Sequence, residues 1–194
     1  MSRLAAGLAG LVMLATSVIT PARAGDAEPL PEIGPAPLFA LTSQDGKPVS
    51  LAGLRRKVVA VSFIFTGCSS ICPLLTQKLI EVQDALGDDF GSKIQFVSIT
   101  LDPLNDTPEV LKNYAAAWKA KLSGWAFLTG PPDTVQQIVD SYGVYAARNA
   151  DGAIDHTLLT SIVDPRGILR VQYIGMKFDA DEFRRDLLAL AAQR

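Results

Sequence analysis

The eight residues Val58 to Phe65 (VVAVSFIF) constrain this chain more than any other stretch. Apolar side chains fill both alternating faces, so the segment is predicted to be a central strand covered on both sides. Ile94 to Leu101 (IQFVSITL) repeats that character, and Trp125 to Leu128 gives a third, shorter run. Helical patterns separate them. Leu75, Leu79, Val82 and Leu86 share one stripe after Pro73. Val110, Leu111, Tyr114, Ala115 and Trp118 line a second, opened by Thr107-Pro108-Glu109 as cap and first-turn proline. Val135, Ile138, Val139 and Tyr142 mark a third. Strands alternating with helices call for a mainly parallel sheet with both faces covered, to which a closing hairpin adds antiparallel strands, making the central sheet mixed.

The flanks add to this frame. At 194 residues the chain suits one well-buried domain. The turn Gln44-Asp45-Gly46-Lys47 predicts a hairpin over residues 39–51, and Asp164-Pro165-Arg166-Gly167 predicts another between Thr157–Val163 and Ile168–Ile174. Phe183, Leu187, Leu190 and Ala191 place a last helix at the C-terminus. Arg3, the apolar stretch Leu4 to Ile19 and the A-x-A ending at Ala24 are laid out as a secretory signal over residues 1–24. The stretch falls short of the ~20 apolar residues a spanning helix needs, which favours cleavage over an inner-membrane anchor. Residues 25–37 read as a tether and 38–194 as the domain, expected in a periplasm. A net charge of −2 gives no basic face for nucleic acid.

Cys68 and Cys72, the only cysteines, lie between the central strand and the first helix, with Pro73 directly after. Pro73 disfavours helical backbone at Cys72, so the pair belongs to the turn that enters the helix. The positive end of a helix favours thiolates, the form that attacks disulfides and binds metals. A structural disulfide is the usual fate of an exported pair, yet closing so small a loop gives only about 2 kcal/mol. A redox pair at this junction points to the thioredoxin-like version of the fold, with the helix over 107–121 as an insertion. Three intervening residues, rather than the two of thioredoxin-type oxidoreductases, leave the sulfurs room to splay around a soft ion. Two thiolates and an imidazole suit Cu(I), whereas zinc wants a fourth ligand. His156, the only histidine, is placed at the start of the strand before the Pro165–Gly167 turn, and sequence distance alone does not bring it to the cysteines.

Four motifs stand in order: Phe65-Thr66-Gly67-Cys68-x-x-x-Cys72-Pro73, Thr100-Leu101-Asp102-Pro103-x-x-Asp106-Thr107-Pro108-Glu109, Asp155-His156-Thr157, and Asp164-Pro165-x-Gly167. Together they resemble the Sco/SenC family of thioredoxin-like, copper-binding proteins of cytochrome c oxidase assembly, over roughly residues 31 to 190. The resemblance implies Cys68, Cys72 and His156 as ligands of one copper ion, Cu(I) or Cu(II). Ser69 stands where the family commonly has proline, which loosens the turn but removes no ligand. Asp102, at the end of a strand, reads either as a carboxylate near the metal edge that assists copper transfer or raises imidazole basicity, or as a loop cap before Pro103.

The implied function is a copper metallochaperone serving an apo copper protein, in the family the CuA site of cytochrome c oxidase subunit II. A periplasmic thiol reductant or copper donor would then be a further partner. The alternative is a thiol–disulfide oxidoreductase that reduces the acceptor's metal-binding cysteines, one thiolate attacking and the other resolving. A peroxidase reading is disfavoured because Phe65 occupies the position where a peroxiredoxin nucleophile motif has threonine.

Overall fold

The computed structural model describes residues 29–68, 72–150, 152–175 and 179–193, so the expected signal over 1–24, the first residues of the tether and Ser69 lie outside them. In chain order the strands and helices are β1 (Gly34–Pro35), β2 (Ala40–Ser43), β3 (Pro48–Ser50), β4 (Val58–Ile64), α1 (Cys72–Ala85), β5 (Ile94–Thr100) and α2 (Pro108–Ala117). They continue as β6 (Trp125–Thr129), α3 (Pro132–Ser141), β7 (Ala146–Arg148), β8 (Ile154–His156), β9 (Leu159–Val163), β10 (Ile168–Ile174) and α4 (Ala180–Ala192).

Eight strands form one sheet in the order β1-β10-β9-β4-β5-β6-β2-β3. β4, β5 and β6 run parallel, while the pairings of β9, β10, β1, β2 and β3 are antiparallel. This is the mixed α/β, thioredoxin-like architecture expected from the sequence, with α2 inserted and the β9–β10 hairpin and α4 closing the chain.

The two-faced character of β4 is realised residue by residue. Val58, Ala60 and Ile64 point to a core shared with Leu75, Leu79 and Val82 of α1, Leu111 of α2 and Phe183 and Leu187 of α4. Val59, Val61 and Phe63 point to the opposite core, where Val135, Ile138 and Val139 of α3 meet Leu41 and Leu51. A strand with one polar face could not serve both. α2 starts as read: Thr107 accepts from the Val110 amide and Pro108 follows it.

Two departures have physical causes. The second half of the expected tether is pinned to the sheet: Ile33 donates to the Leu169 carbonyl (2.9 Å), Ala36 donates to the Gly167 carbonyl (3.0 Å), and β1 pairs with β10. Arg170 fastens it further, donating to the carbonyls of Leu30 and Pro31. A bulge between Leu169 and Val171 aims that buried side chain. The second departure concerns His156, which was expected at the start of the β9 strand. It instead ends β8, in a two-stranded β7–β8 hairpin separate from the main sheet.

Candidate metal centre

β4 ends at Ile64, and the chain turns through Thr66 and Gly67 to reach Cys68, whose amide donates to the Phe65 carbonyl (3.2 Å). Cys72 is the first residue of α1 and wholly buried, while Cys68 is half-buried. The two are thiols, not a disulfide. The Cys72 amide, an orphan donor at the helix start, points at the Cys68 sulfur at 3.4 Å. His156 arrives from the other side, its Nε2 3.7 Å from Cys72 Sγ. The fold therefore brings all three expected residues to one end of the sheet, past the C-terminal end of β4.

Their contacts run in series, with Cys72 touching both others. Among the described residues, no three His, Cys, Asp or Glu side chains are already gathered around one point.

The imidazole is ready to act as a ligand. Its Nδ1 faces the Thr157 carbonyl at 3.2 Å, and a carbonyl only accepts, so Nδ1 carries the proton. Nε2 then turns its lone pair toward the sulfur. Burial holds the ring below the ordinary imidazole range, outweighing the hydrogen bond to Thr157 and the nearby Asp155. Phe65 meets the ring edge-to-face at 5.8 Å between centroids and walls off one side. Asp155 accepts from Asn149 at 3.0 Å, and no hydrogen bond joins it to the ring among the described residues.

Cys72 departs from the expectation of a thiolate favoured by the helix end. Burial, reinforced by the hydrogen bond with Cys68, pushes its thiol up to about 12. Desolvation wins because the sulfur lies inside the core rather than at its mouth. Cys68, at the same helix terminus but partly open, is the sulfur within reach of solvent. Sub-stoichiometric iodoacetamide at pH 8 is accordingly expected to label the peptide containing Cys68 first. Peptide mapping that found Cys72 modified first would contradict this placement.

Asp102 does not touch the imidazole. Its carboxylate accepts from Arg148 (2.5 Å) and Asn105 (2.9 Å), the latter a contact of the loop-cap reading. The sequence reading missed Asp106, which is buried. It accepts from the Thr66 amide (3.1 Å) and hydroxyl (2.5 Å) and from the Thr100 hydroxyl (2.5 Å), tying the ends of β4 and β5 together two residues before Cys68. A buried carboxylate surrounded by three donors is fully compensated. Its place in the Asp102-to-Glu109 motif was the only available signal. Tyr114 of α2, read as packing, also reaches the site: it bonds Thr76 at 2.8 Å, one helical turn beyond Cys72. Burial pushes its hydroxyl up to about 12, against the Thr76 hydrogen bond and with the two thiols nearby.

Comparison with known proteins places these residues in context. The SCO1/SenC family profile matches residues 31–192. The SCO1 protein homolog of Bacillus subtilis (strain 168) is 39% identical over 92 residues, which is 47% of this chain and 47% of that protein. The chain spans about half the length of the first curated relatives it matches. Bradyrhizobium japonicum ScoI, solved with copper bound, superposes with a TM-score of 0.69 at 30% identity, over 79% of this chain and 97% of that one. BsSco, described as a member of the Sco family of cytochrome c oxidase assembly proteins with a disulfide switch, gives 0.74 at 26% identity, over 84% and 97%.

Proposed function

Because this chain belongs to the SCO1/SenC family, we propose that it is a copper carrier of cytochrome c oxidase assembly, holding one copper ion between Cys68, Cys72 and His156. The observation that carries this reading is the 3.7 Å approach of a lone-pair-bearing imidazole nitrogen to a core cysteine at a helix start. Two sulfurs and one nitrogen suit a soft cation. A three-coordinate ion leaves an opening through which an incoming thiolate can attack, so transfer proceeds by ligand exchange. The acceptor we assign is an apo copper protein, with the CuA site of oxidase subunit II as the leading candidate. The leader-like first 24 residues support a periplasmic location; among the described residues no helix is long and apolar enough to cross a membrane.

The test is His156→Ala. Cu(I) affinity, measured by competition with a chromophoric chelator, is expected to fall by more than about 100-fold, beyond the loss typical of a ligand's supporting partner. The rate of disulfide exchange should hardly change. Undiminished affinity in that variant would remove the three-ligand site.

A second reading, thiol–disulfide exchange, is favoured by one observation: the half-buried Cys68 sulfur sits beside the shielded Cys72. The Cys68 thiolate would attack an acceptor disulfide and form a mixed disulfide. The Cys72 thiolate would then displace the acceptor's sulfur, leaving the acceptor with two thiols and this chain with the Cys68–Cys72 disulfide. Two electrons pass to the acceptor. Metal-free protein isolated with a readily cycling disulfide, in place of one copper per chain, would make this the principal role.

A further inference from the structure

The geometry points to Asp102 and Arg148 as a latch that positions His156 over the cysteines, an inference that rests on the copper-carrier reading. Among the described residues, the β7–β8 hairpin shares no backbone ladder with the main sheet. Its register pairs Ala146 with His156 and Arg148 with Ile154, so Arg148 and His156 lie at opposite ends of one short ladder. Such a unit moves as a body, and whatever fixes Arg148 also fixes the imidazole.

Arg148 is fixed at both ends of its guanidinium. Nη1 donates to the Gly152 carbonyl at 2.9 Å, within the hairpin's own turn, and Nη2 donates to Asp102 at 2.5 Å, on the loop after β5. The carboxylate side of the pair is mostly shielded, with 10% of the Asp102 side chain exposed against 40% for Arg148. Beneath the pair, a cleft of about 170 Å³ separates the hairpin from the β5 loop and α3, with Leu101, Val135, Val139 and Ile154 among its walls. The salt bridge spans a gap that apolar packing leaves incomplete.

The loop that holds Arg148 also holds the cysteine arm. Four residues after Asp102, Asp106 binds the amide and hydroxyl of Thr66, and the Asp106 amide donates to the Asp102 carbonyl at 2.8 Å. Five consecutive residues thus grip the segment leading to Cys68 with one carboxylate and the hairpin ending at His156 with the other. The relative position of sulfur and nitrogen is set by a loop that contributes no ligand. Asp102 and Arg148 are positioning residues, acting on the site through the hairpin.

The test uses Asp102→Ala and Arg148→Ala, which open the latch from opposite sides, and Arg148→Lys, which keeps the charge. Asp102→Ala spares the bond from Arg148 to Gly152, so it separates the latch from the hairpin's internal stability. Each alanine variant should lower Cu(I) affinity about two- to five-fold, the upper range of a partly exposed ion pair, and Arg148→Lys should recover part of it. In a His156→Ala background the same substitutions should have no further effect, since the residue they position is gone. In metal-free protein, amide exchange at Thr157 and Asn149 should accelerate in both alanine variants while the β4 and β5 amides keep wild-type protection. Equal losses with and without His156, or unchanged hairpin exchange, would overturn the latch. If His156→Ala itself leaves affinity intact, it is the carrier reading that fails.

Discussion

Cu(I) affinity is expected to rise by at least about ten-fold for each pH unit between pH 6.5 and 8.5, because a thiol that holds its proton must lose it to bind metal. The sign follows from the site. Burial, aided by Cys68, pushes Cys72 up to about 12, so the metal-free protein carries that proton throughout the range. A copper-bound sulfur does not. Binding releases at least one proton, and raising the pH draws the equilibrium toward the complex. His156 adds nothing over this interval, since burial holds it neutral there; its competition with protons begins only below the ordinary imidazole range. Chelator competition at several pH values gives the slope, and proton release into weakly buffered solution gives the stoichiometry. A flat profile would mean that Cys72 is not a ligand, or that its thiolate forms before copper arrives.

Arg170→Ala should cost about 2–3 kcal/mol of stability, the loss of charge-assisted hydrogen bonds in a buried cluster whose carboxylate keeps Arg166 as a second cation. Asp164 and Arg170 are both buried and meet at 3.0 Å. Asp164 also accepts from the amides of Arg166 (2.9 Å) and Ile168 (3.0 Å), which shapes the β9–β10 turn. Arg170 reaches outward to the carbonyls of Leu30 and Pro31 and to Gln193, joining the segment before β1 and the end of α4 to this turn. Its loss leaves the buried carboxylate with Arg166 (2.8 Å) as its remaining cation and two carbonyls without that donor. Urea unfolding should record the loss as a lower midpoint, and a change below about 1 kcal/mol would contradict the assignment. Arg170→Met combined with Asp164→Asn should cost less than Arg170→Ala alone, because no charge is left stranded. Acid tests the same pair. Burial would raise the Asp164 carboxyl, but hydrogen bonds from Ile168, Arg166 and Arg170 outweigh it and hold it below the ordinary range. Its contribution is complete above a pH of about 3.9 and fades as the pH falls through the depressed value.

What could be read in the chain beforehand follows from how local each signal is. β4 and β5 announced themselves as continuous apolar runs, and α2 was written in its cap and proline. The cysteine turn followed from a strand meeting Pro73. The β7–β8 hairpin escaped because three-residue strands carry no measurable alternation, and Ala146-Ala147-Arg148 has little β character. His156 was assigned to the longer neighbouring strand for the same reason. The pinning of residues 30–36 depends on Gly167, Leu169 and Arg170, far along the chain, and no local pattern encodes those contacts. The titration of Cys72 was misjudged because helix-end polarity is visible in sequence while burial is not. Asp102 stood out for its place beside Pro103, but its partner Arg148 was not legible, since it lies 46 positions on within an unremarkable Ala-Arg-Asn stretch.

The outermost strands of the sheet determine how another macromolecule can approach. β1 has two residues, including Pro35, and β3 has three, starting at Pro48. Strands so brief, each lacking one backbone donor, offer no template for a visiting polypeptide to zip alongside. Lateral annealing of this kind is a common way for sheet proteins to capture extended peptides, and both flanks here are closed to it. On the proposed carrier reading, docking then falls to the loops that surround the sulfur and imidazole atoms, the same face that would exchange cargo.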